Sequence, residues 1–420
     1  MRATVKKPRA FPKLRMMPFL KRYGNYLKLT AKTEKKGIRI MKNTVLKKIC
    51  SFVLAFIMLL SLMSFTASAA EEDMYLNVAD FVSFSDDDAA AEIQAVIDNN
   101  PNRVLFFPDG EYRVSSPIYT PAEPSLSVSL KLSEFAVIKA NEDFPAGEAV
   151  IQMGGIFPAN NTHTPGSNYS LEGGVIDCSG IANGVSINSG RETKVENTSI
   201  KNSVVGLHIM YGANNGSSDC DILGVNIIGN GTTDAVGVLL EGFDNTLTNM
   251  RIGNVQIGVH VKSAGNILRN IHPLYYSDFN FYDSSCGFLI ETGNNWFDYC
   301  YADNFAVGYR TTGNDHNTFV NCFCYWYTDT GSSQTVFKAD KRFNADISGL
   351  KAGFNGDAVK NILLVGELGG TGTIENIECD KSDSESKAYM AYEKDFSGVK
   401  NIIGFFLLLM EFFRNLFVIN

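Results

Sequence analysis

The stretch that decides the fold lies between Gly237 and Val261: Gly237-Val238-Leu239-Leu240, then Asn245-Thr246-Leu247-Thr248-Asn249, then Gly258-Val259-His260-Val261. A glycine opening an in/out/in triplet returns after 21 residues, with an Asn-framed alternating segment between the copies. Side chains alternate faces along a strand, so each copy supplies at least two short strands. The glycine segment occurs six times, the others being Gly184-Val185-Ser186-Ile187, Gly206-Leu207-His208-Ile209, Gly287-Phe288-Leu289-Ile290 and Gly308-Tyr309-Arg310-Thr311. Successive glycines lie 22, 31, 21, 29 and 21 residues apart. A short base period with extra residues in some copies is the mark of a solenoid whose loops leave from one side.

The Asn-framed segment repeats in its own phase: Asn266, Leu268 and Asn270; Asn295, Phe297 and Tyr299; Asn317, Phe319 and Asn321. Weaker copies are Thr193, Val195 and Asn197, and Asp221, Leu223 and Val225. Gly and Asn fall where the backbone must bend or take positive φ. Leucine-rich repeats share such a period but need a helix in each repeat, and these repeats have no helical spacing. The chain is expected to be all-β, a right-handed parallel β-helix.

The ends differ from the coil. Lys42, Lys47 and Lys48, the apolar run Phe52 to Leu62 and Ala67-Ser68-Ala69-Ala70 make residues 41–70 a signal peptide, which implies export. Residues 1–40 precede it, and Met41 is expected to be the true start. The alternative is a basic cytoplasmic arm before a membrane anchor. The β-helix is expected over residues 71–400, followed by an apolar segment, residues 401–420, that either caps the last coil or is an aberrant end. That segment is too short and too charged near its middle to span a bilayer comfortably.

Past residue 70 the chain carries 21 Lys and Arg against 44 Asp and Glu, a net charge of −23. Such a surface repels nucleic acid and favours a neutral glycan, or an acidic one held through Ca²⁺. Seven cysteines follow residue 70, an odd number for a disulfide framework. Cys300 and Cys322 fall in one column and are expected to stack as free thiols.

Ahead of the coils, Asp86 to Asp88 lead into Ala89, Ile93, Val96 and Ile97 at helical spacing, the expected N-terminal capping helix. Ala90-Ala91-Glu92-Ile93-Gln94-Ala95-Val96-Ile97-Asp98, then Val104-Leu105-Phe106-Phe107-Pro108-Asp109-Gly110-Glu111-Tyr112-Arg113-Val114, resembles the opening of the pectate-lyase-like β-helix superfamily. Gly173-Gly174-Val175-Ile176-Asp177 resembles its recurrent early strand. The likeness covers residues 75 to about 330. It implies the scaffold, shared by pectate lyases, polygalacturonase-like hydrolases, phage tailspikes and non-enzymatic surface proteins. The Asn-Thr-Asp, Asp-Asp, Gly-His-Gly and Arg-Ile-Lys signatures of polygalacturonase-like hydrolases do not occur in order, and the Arg-x-Pro-x-x-Arg motif of calcium-dependent pectate lyases is absent. Scaffold alone does not deliver a reaction.

The glycine phase gives the outward columns. Two residues past each glycine stand Ser186, His208, Leu239, His260, Leu289 and Arg310; four past stand Asn188, Met210, Glu241, Lys262, Glu291 and Thr312. Glu241 and Glu291, two rungs or about 10 Å apart, sit near the upper edge of the separation used by inverting glycosidases, with Lys262 between them and His260 beside it. These four residues are the catalytic candidates; a surface salt-bridge ladder is the competing account. A second zone, 275–327, is rich in aromatic residues, and Asp298, Asp303, Asp315, His316 and Asp329 share it. Trp296, Tyr301 and Trp326 there, with Arg310, are the candidates for contacting a polysaccharide. Packing competes with that reading too. His163 and His272 read as loop residues, and no metal-ligand spacing occurs. Two functions remain open: a polysaccharide lyase or glycoside hydrolase, and a non-catalytic glycan-binding or cell-surface structural protein.

Overall fold

The computed structural model of the protein describes residues 48, 51–53, 75–83, 87–156, 169–211, 217–276, 282–327, 334–354, 359–379 and 390–392. Residues 1–40, most of the 41–70 leader, residues 401–420, His163 and Asp329 lie outside them. From Leu76 onward the strands named here pair in parallel, each with its counterpart one coil earlier and one coil later. The chain winds as a right-handed parallel β-helix with three faces per coil.

The glycine face is an 11-stranded sheet that includes Asn183–Ile187, Val205–Ile209, Val236–Leu240, Ile257–Val261, Cys286–Ile290 and Val307–Thr311. The asparagine face includes Lys194–Glu196, Asp221–Leu223, Trp296–Asp298 and Asn317–Val320. The third face includes Ser199–Ser203, Asn226–Gly229, Tyr301–Asp303 and Phe323–Trp326. Thr246–Gly253 and Ile267–Leu274 run through the corner and serve the asparagine and third faces in turn.

The sequence repeat has a reason different from the one first assigned to it. None of the six repeat glycines has positive φ. They are needed for close approach: a Cβ on Gly258 would lie 2.4 Å from Pro273 Cβ and 2.5 Å from the carbonyl oxygen of Gly287 in the next coil. Ile200, Ile227, Ile252, Ala302 and Cys324 obstruct Gly184, Gly206, Gly237, Gly287 and Gly308 in the same way. The glycine column lets the third face's inward side chains reach the glycine face.

The two asparagines of the other repeat do opposite work. The first of each pair is buried: Asn245, Asn266, Asn295 and Asn317 stack in the interior. Each Oδ1 accepts a backbone N–H from the coil before it: Asn266 Oδ1 from the Asn245 N–H (3.0 Å), Asn295 Oδ1 from the Asn266 N–H (3.0 Å) and Asn317 Oδ1 from the Asn295 N–H (3.1 Å). The second asparagine turns the corner between the asparagine and third faces in the left-handed region. In register there stand Gly173, Asn197, Gly224, Asn249, Asn270, Tyr299, Asn321, Gly349 and Asn376, all at positive φ. Asn and Gly enter that region at least cost.

One of the weaker sequence copies is out of register by a residue. Asp221 pairs with Thr246 and Ile222 with Leu247, so the inward residue is Ile222, and Leu223 points out and is exposed. A one-residue slip exchanges the faces of every side chain. Elsewhere the columns hold: Cys300 and Cys322 are buried and free, in the interior column that Met250 and Ile271 also occupy.

The helix Ala90–Asn99 covers the first coil with Ala90, Ile93, Val96 and Ile97 buried. Asp88 Oδ1 accepts the Ala90 N–H at 3.1 Å, holding the start of the helix. On the same helix Gln94 meets the first strand of the glycine face, Ile118–Tyr119. Its Oε1 accepts the Tyr119 N–H and its Nε2 donates to the Tyr119 carbonyl, both at 3.0 Å.

Candidate functional site

On the glycine face the outward column of half-buried side chains reads His208, Leu239, His260, Leu289, Arg310, Lys338 in strand register. Two residues along, Glu241, Lys262, Glu291 and Asp340 follow. The pairing is diagonal: a base on one coil meets the acid two residues past its direct partner on the next. His208 Nε2 lies 2.9 Å from Glu241 Oε2, and His260 Nε2 lies 2.6 Å from Glu291 Oε1. Arg310 donates to both oxygens of Asp340 at 2.8–3.1 Å, and Lys338 Nζ is 3.7 Å from the same carboxylate. Lys262 Nζ closes the row by donating to Glu241 Oε1 at 3.0 Å.

Electrostatics fix the state of Glu241. Burial works to raise its carboxyl, but the hydrogen bonds from His208 and Lys262 outweigh that and hold it below the usual carboxylate range. Burial pushes His208 down, and the Glu241 carboxylate recovers part of the loss. At neutral pH Glu241 is therefore an anion held from two sides. A general acid requires the reverse, a carboxyl kept protonated. Glu291, more exposed, is held by His260 alone among these groups.

The structure divides the remaining candidates among different faces. Phe288, inward from the glycine face, meets Phe297, inward from the asparagine face, edge to face with ring centroids 5.9 Å apart; Tyr309 meets Phe319 likewise at 5.5 Å. The outer surfaces of those two faces accordingly point away from each other. Trp296, on the outside of the asparagine face and 48% exposed, shares no groove with Glu241, Lys262, Glu291, His260 or Arg310. Tyr301 stands outside the third face, its ring stacked on His272 at 3.6 Å between centroids. Trp326 is a correction: it is buried, and its indole Nε1 donates to the Phe305 carbonyl at 2.8 Å, so it cannot touch a ligand. The alternation of Phe323–Trp326 puts Trp326 on the same side as buried Cys324.

His272 is also corrected, from loop to strand. It lies in Ile267–Leu274, with Nε2 2.9 Å from Asp303 Oδ2. His316 adds a further pair, 3.0 Å from Asp346 Oδ2. His208 belonged to the outward column read from the sequence but not to the candidate set; its partnership with Glu241 crosses 33 residues, and only the strand register brings the two together. Among the described residues no cluster of three or more His, Cys, Asp or Glu side chains could hold a metal ion, and no helix is long and apolar enough to cross a membrane.

Neither protein-family models nor the curated proteins give a match to this sequence. Solved structures do. An endo-xylogalacturonan hydrolase from Aspergillus tubingensis superposes with a TM-score of 0.53 at 13% identity, covering 75% of this chain and 95% of that one. The tailspike protein of E. coli bacteriophage HK620, in complex with a pentasaccharide, gives 0.58 at 12% identity, covering 77% of this chain and 66% of that one. The class is thereby established as a right-handed parallel β-helix protein.

Proposed function

We propose that this chain is an exported β-helix protein that binds a polysaccharide along its glycine face. The observation that carries the reading is the in-register row of His208, Glu241, His260, Lys262, Glu291 and Arg310, which offers donors and acceptors at every rung, about 4.8 Å apart, to a polymer lying along the axis. The hydrolase and the saccharide-bound tailspike that share its fold agree with a carbohydrate ligand. The leader expected at residues 41–70 and the acidic composition past it support a ligand outside the cell, a free or wall polymer.

A second reading, cleavage by a lyase or glycoside hydrolase, is favoured by one feature. Glu291 with His260 is an exposed carboxylate–imidazole pair two coils from Glu241, with Lys262 on the coil between. In it Glu291 and His260 move the proton, and Lys262 with Glu241 holds a charged sugar. The test is a screen of the secreted protein against pectin, polygalacturonate, alginate and neutral hemicelluloses, with and without Ca²⁺. Binding without products is the expected result. Unsaturated, ultraviolet-absorbing products establish a lyase, and new reducing ends without them a hydrolase; in either case Glu291→Gln should slow turnover by about a hundredfold or more. Failure of every polymer to bind would overturn both readings.

A further inference from the structure

Along the glycine face the outward row repeats at every second coil. In direct strand register His208 stands against Leu239, Leu239 against His260, His260 against Leu289 and Leu289 against Arg310, so a half-buried leucine alternates with a half-buried base. The position two residues along keeps the same phase: the two leucine coils carry Glu241 and Glu291, and the coil between them carries Lys262. Two coils at about 4.8 Å each make a repeat of about 10 Å.

Coil length alternates in step with the side chains. The coils that begin at Gly206 and Gly258, those of His208 and His260, run 31 and 29 residues, whereas the leucine coils that begin at Gly237 and Gly287 run 21 each. The added residues enter at the two corners that border the glycine face. The first long coil is longer chiefly between Ile209 and Asp221, where the following leucine coil has only Leu240 to Thr246. The second is longer between Leu274 and Cys286, where that leucine coil has only Gly253 to Ile257. An ion-pair ladder needs neither device, because opposite charges placed directly in register on successive coils would serve it. A two-coil period carried by side chains and backbone length together fits a ligand with that period.

We infer that the glycine face takes a neutral β-1,4-linked glycan in extended form, with one sugar on each coil; this rests on the polysaccharide reading above and narrows it. In such a chain each sugar advances by nearly the rise of one coil and is turned over relative to the last. Equivalent edges therefore return at every second sugar. The C–H face of one sugar lies on Leu239 or Leu289, and the hydroxyls of the next meet His208, His260 or Arg310. An α-1,4-linked glucan curls instead, and its sugars leave a straight row. Neutrality follows from the pairing: Glu241, Glu291 and Asp340 are each met by a base of the row, and the three carboxylates balance Lys262, Arg310 and Lys338. The chain past residue 70 carries −23, so an anionic polymer is repelled as well.

The test is calorimetric titration of the full chain with cello- and manno-oligosaccharides of increasing length, from the disaccharide to the hexasaccharide. Maltohexaose and hexagalacturonate serve as the curled and the charged probe. As the β-1,4 chains lengthen, affinity should rise by large and small increments in alternation. Cellohexaose or mannohexaose should bind about tenfold or more tighter than either control. Leu239→Ala and Leu289→Ala should each weaken the hexasaccharide about fivefold, with Tm nearly unchanged because both side chains are only half-buried. The inference is overturned by even increments, by maltohexaose or hexagalacturonate binding at least as tightly as the β-1,4 hexasaccharides, or by unchanged affinity in both leucine variants. Even increments would leave the two-coil period as a duplication in the chain without a matching ligand. Each of those results still has a glycan bound, so the broader reading survives it; if no probe and no screened polymer binds, both fall.

Discussion

Two columns of polar side chains run along the same coils, one inside and one outside, and they differ in what surrounds them. The inner column, Asn245, Asn266, Asn295 and Asn317, is fully enclosed, and each amide completes backbone hydrogen bonds of the coil before it. The outer column, His208, Glu241, Lys262, His260 and Glu291, makes contacts as short but remains within reach of water. Hydrogen-bond geometry alone would rank the two columns together. Solvent separates them, because a buried donor left without a partner has no water to turn to, whereas an exposed charge does.

The contrast breaks most clearly at Asn266. Its Oδ1 accepts from both the backbone and the side chain of Asn245, and its Nδ2 donates to Asn295 Oδ1 and Ser263 Oγ. Asn266→Ala leaves several buried groups unsatisfied and should cost about 3 kcal/mol in chemical denaturation. A loss no larger than that of an exposed ion pair would mean that the inner column contributes little.

Acid sharpens the comparison from the other side. Folded His208 takes up its proton at a lower pH than the unfolded imidazole, near 6.5, so below that pH the unfolded state binds more protons and stability declines. Glu241 acts in the same direction lower down: its folded carboxyl lies below the ordinary 4.5, and the stabilisation present above that value is lost as pH falls through the folded one. Tm recorded from pH 8 to 4 should therefore fall on acidification, beginning near 6.5, and His208→Gln should flatten the upper part of the curve.

The smallest effect is expected at Lys262. Lys262→Met removes a partly exposed ion pair but leaves Glu241 its bond from His208, so stability should change by about 0–1 kcal/mol, less at high salt. A larger change would place the outer column closer to the inner one than its exposure suggests.

How much of this was legible in the chain depends on which face supplied the repeat. The glycine and asparagine phases each marked one face, so the coils, the outward row from His208 to Arg310 and the Cys300–Cys322 stack could all be placed from spacing. The third face carries no such marker, and there Trp326 was placed outside when alternation with Cys324 puts it in the core. Periodicity also reports stacking along the axis but not the angle through which each corner turns. Trp296 and Glu291 were therefore read in two separate candidate zones with no angle between them, and it is Phe288 meeting Phe297 across the interior that sets their faces apart. The repeat glycines misled in a subtler way, since sequence does not distinguish a glycine kept for positive φ from one kept because the next coil's carbonyl leaves no room for a Cβ.

Gln94 bears on a different question, that of how such a molecule knows where to begin. A stack of coils has no inherent length, because the first strand offers the same N–H and C=O groups to a neighbour as every strand behind it, and a second molecule could add there as readily as another coil. By spending its amide on both groups of Tyr119, Gln94 occupies the place of that would-be neighbour with a single side chain. The helix that carries it thus acts as a stop against fibre growth at the amino-terminal end, keeping a self-templating architecture from seeding polymers of itself.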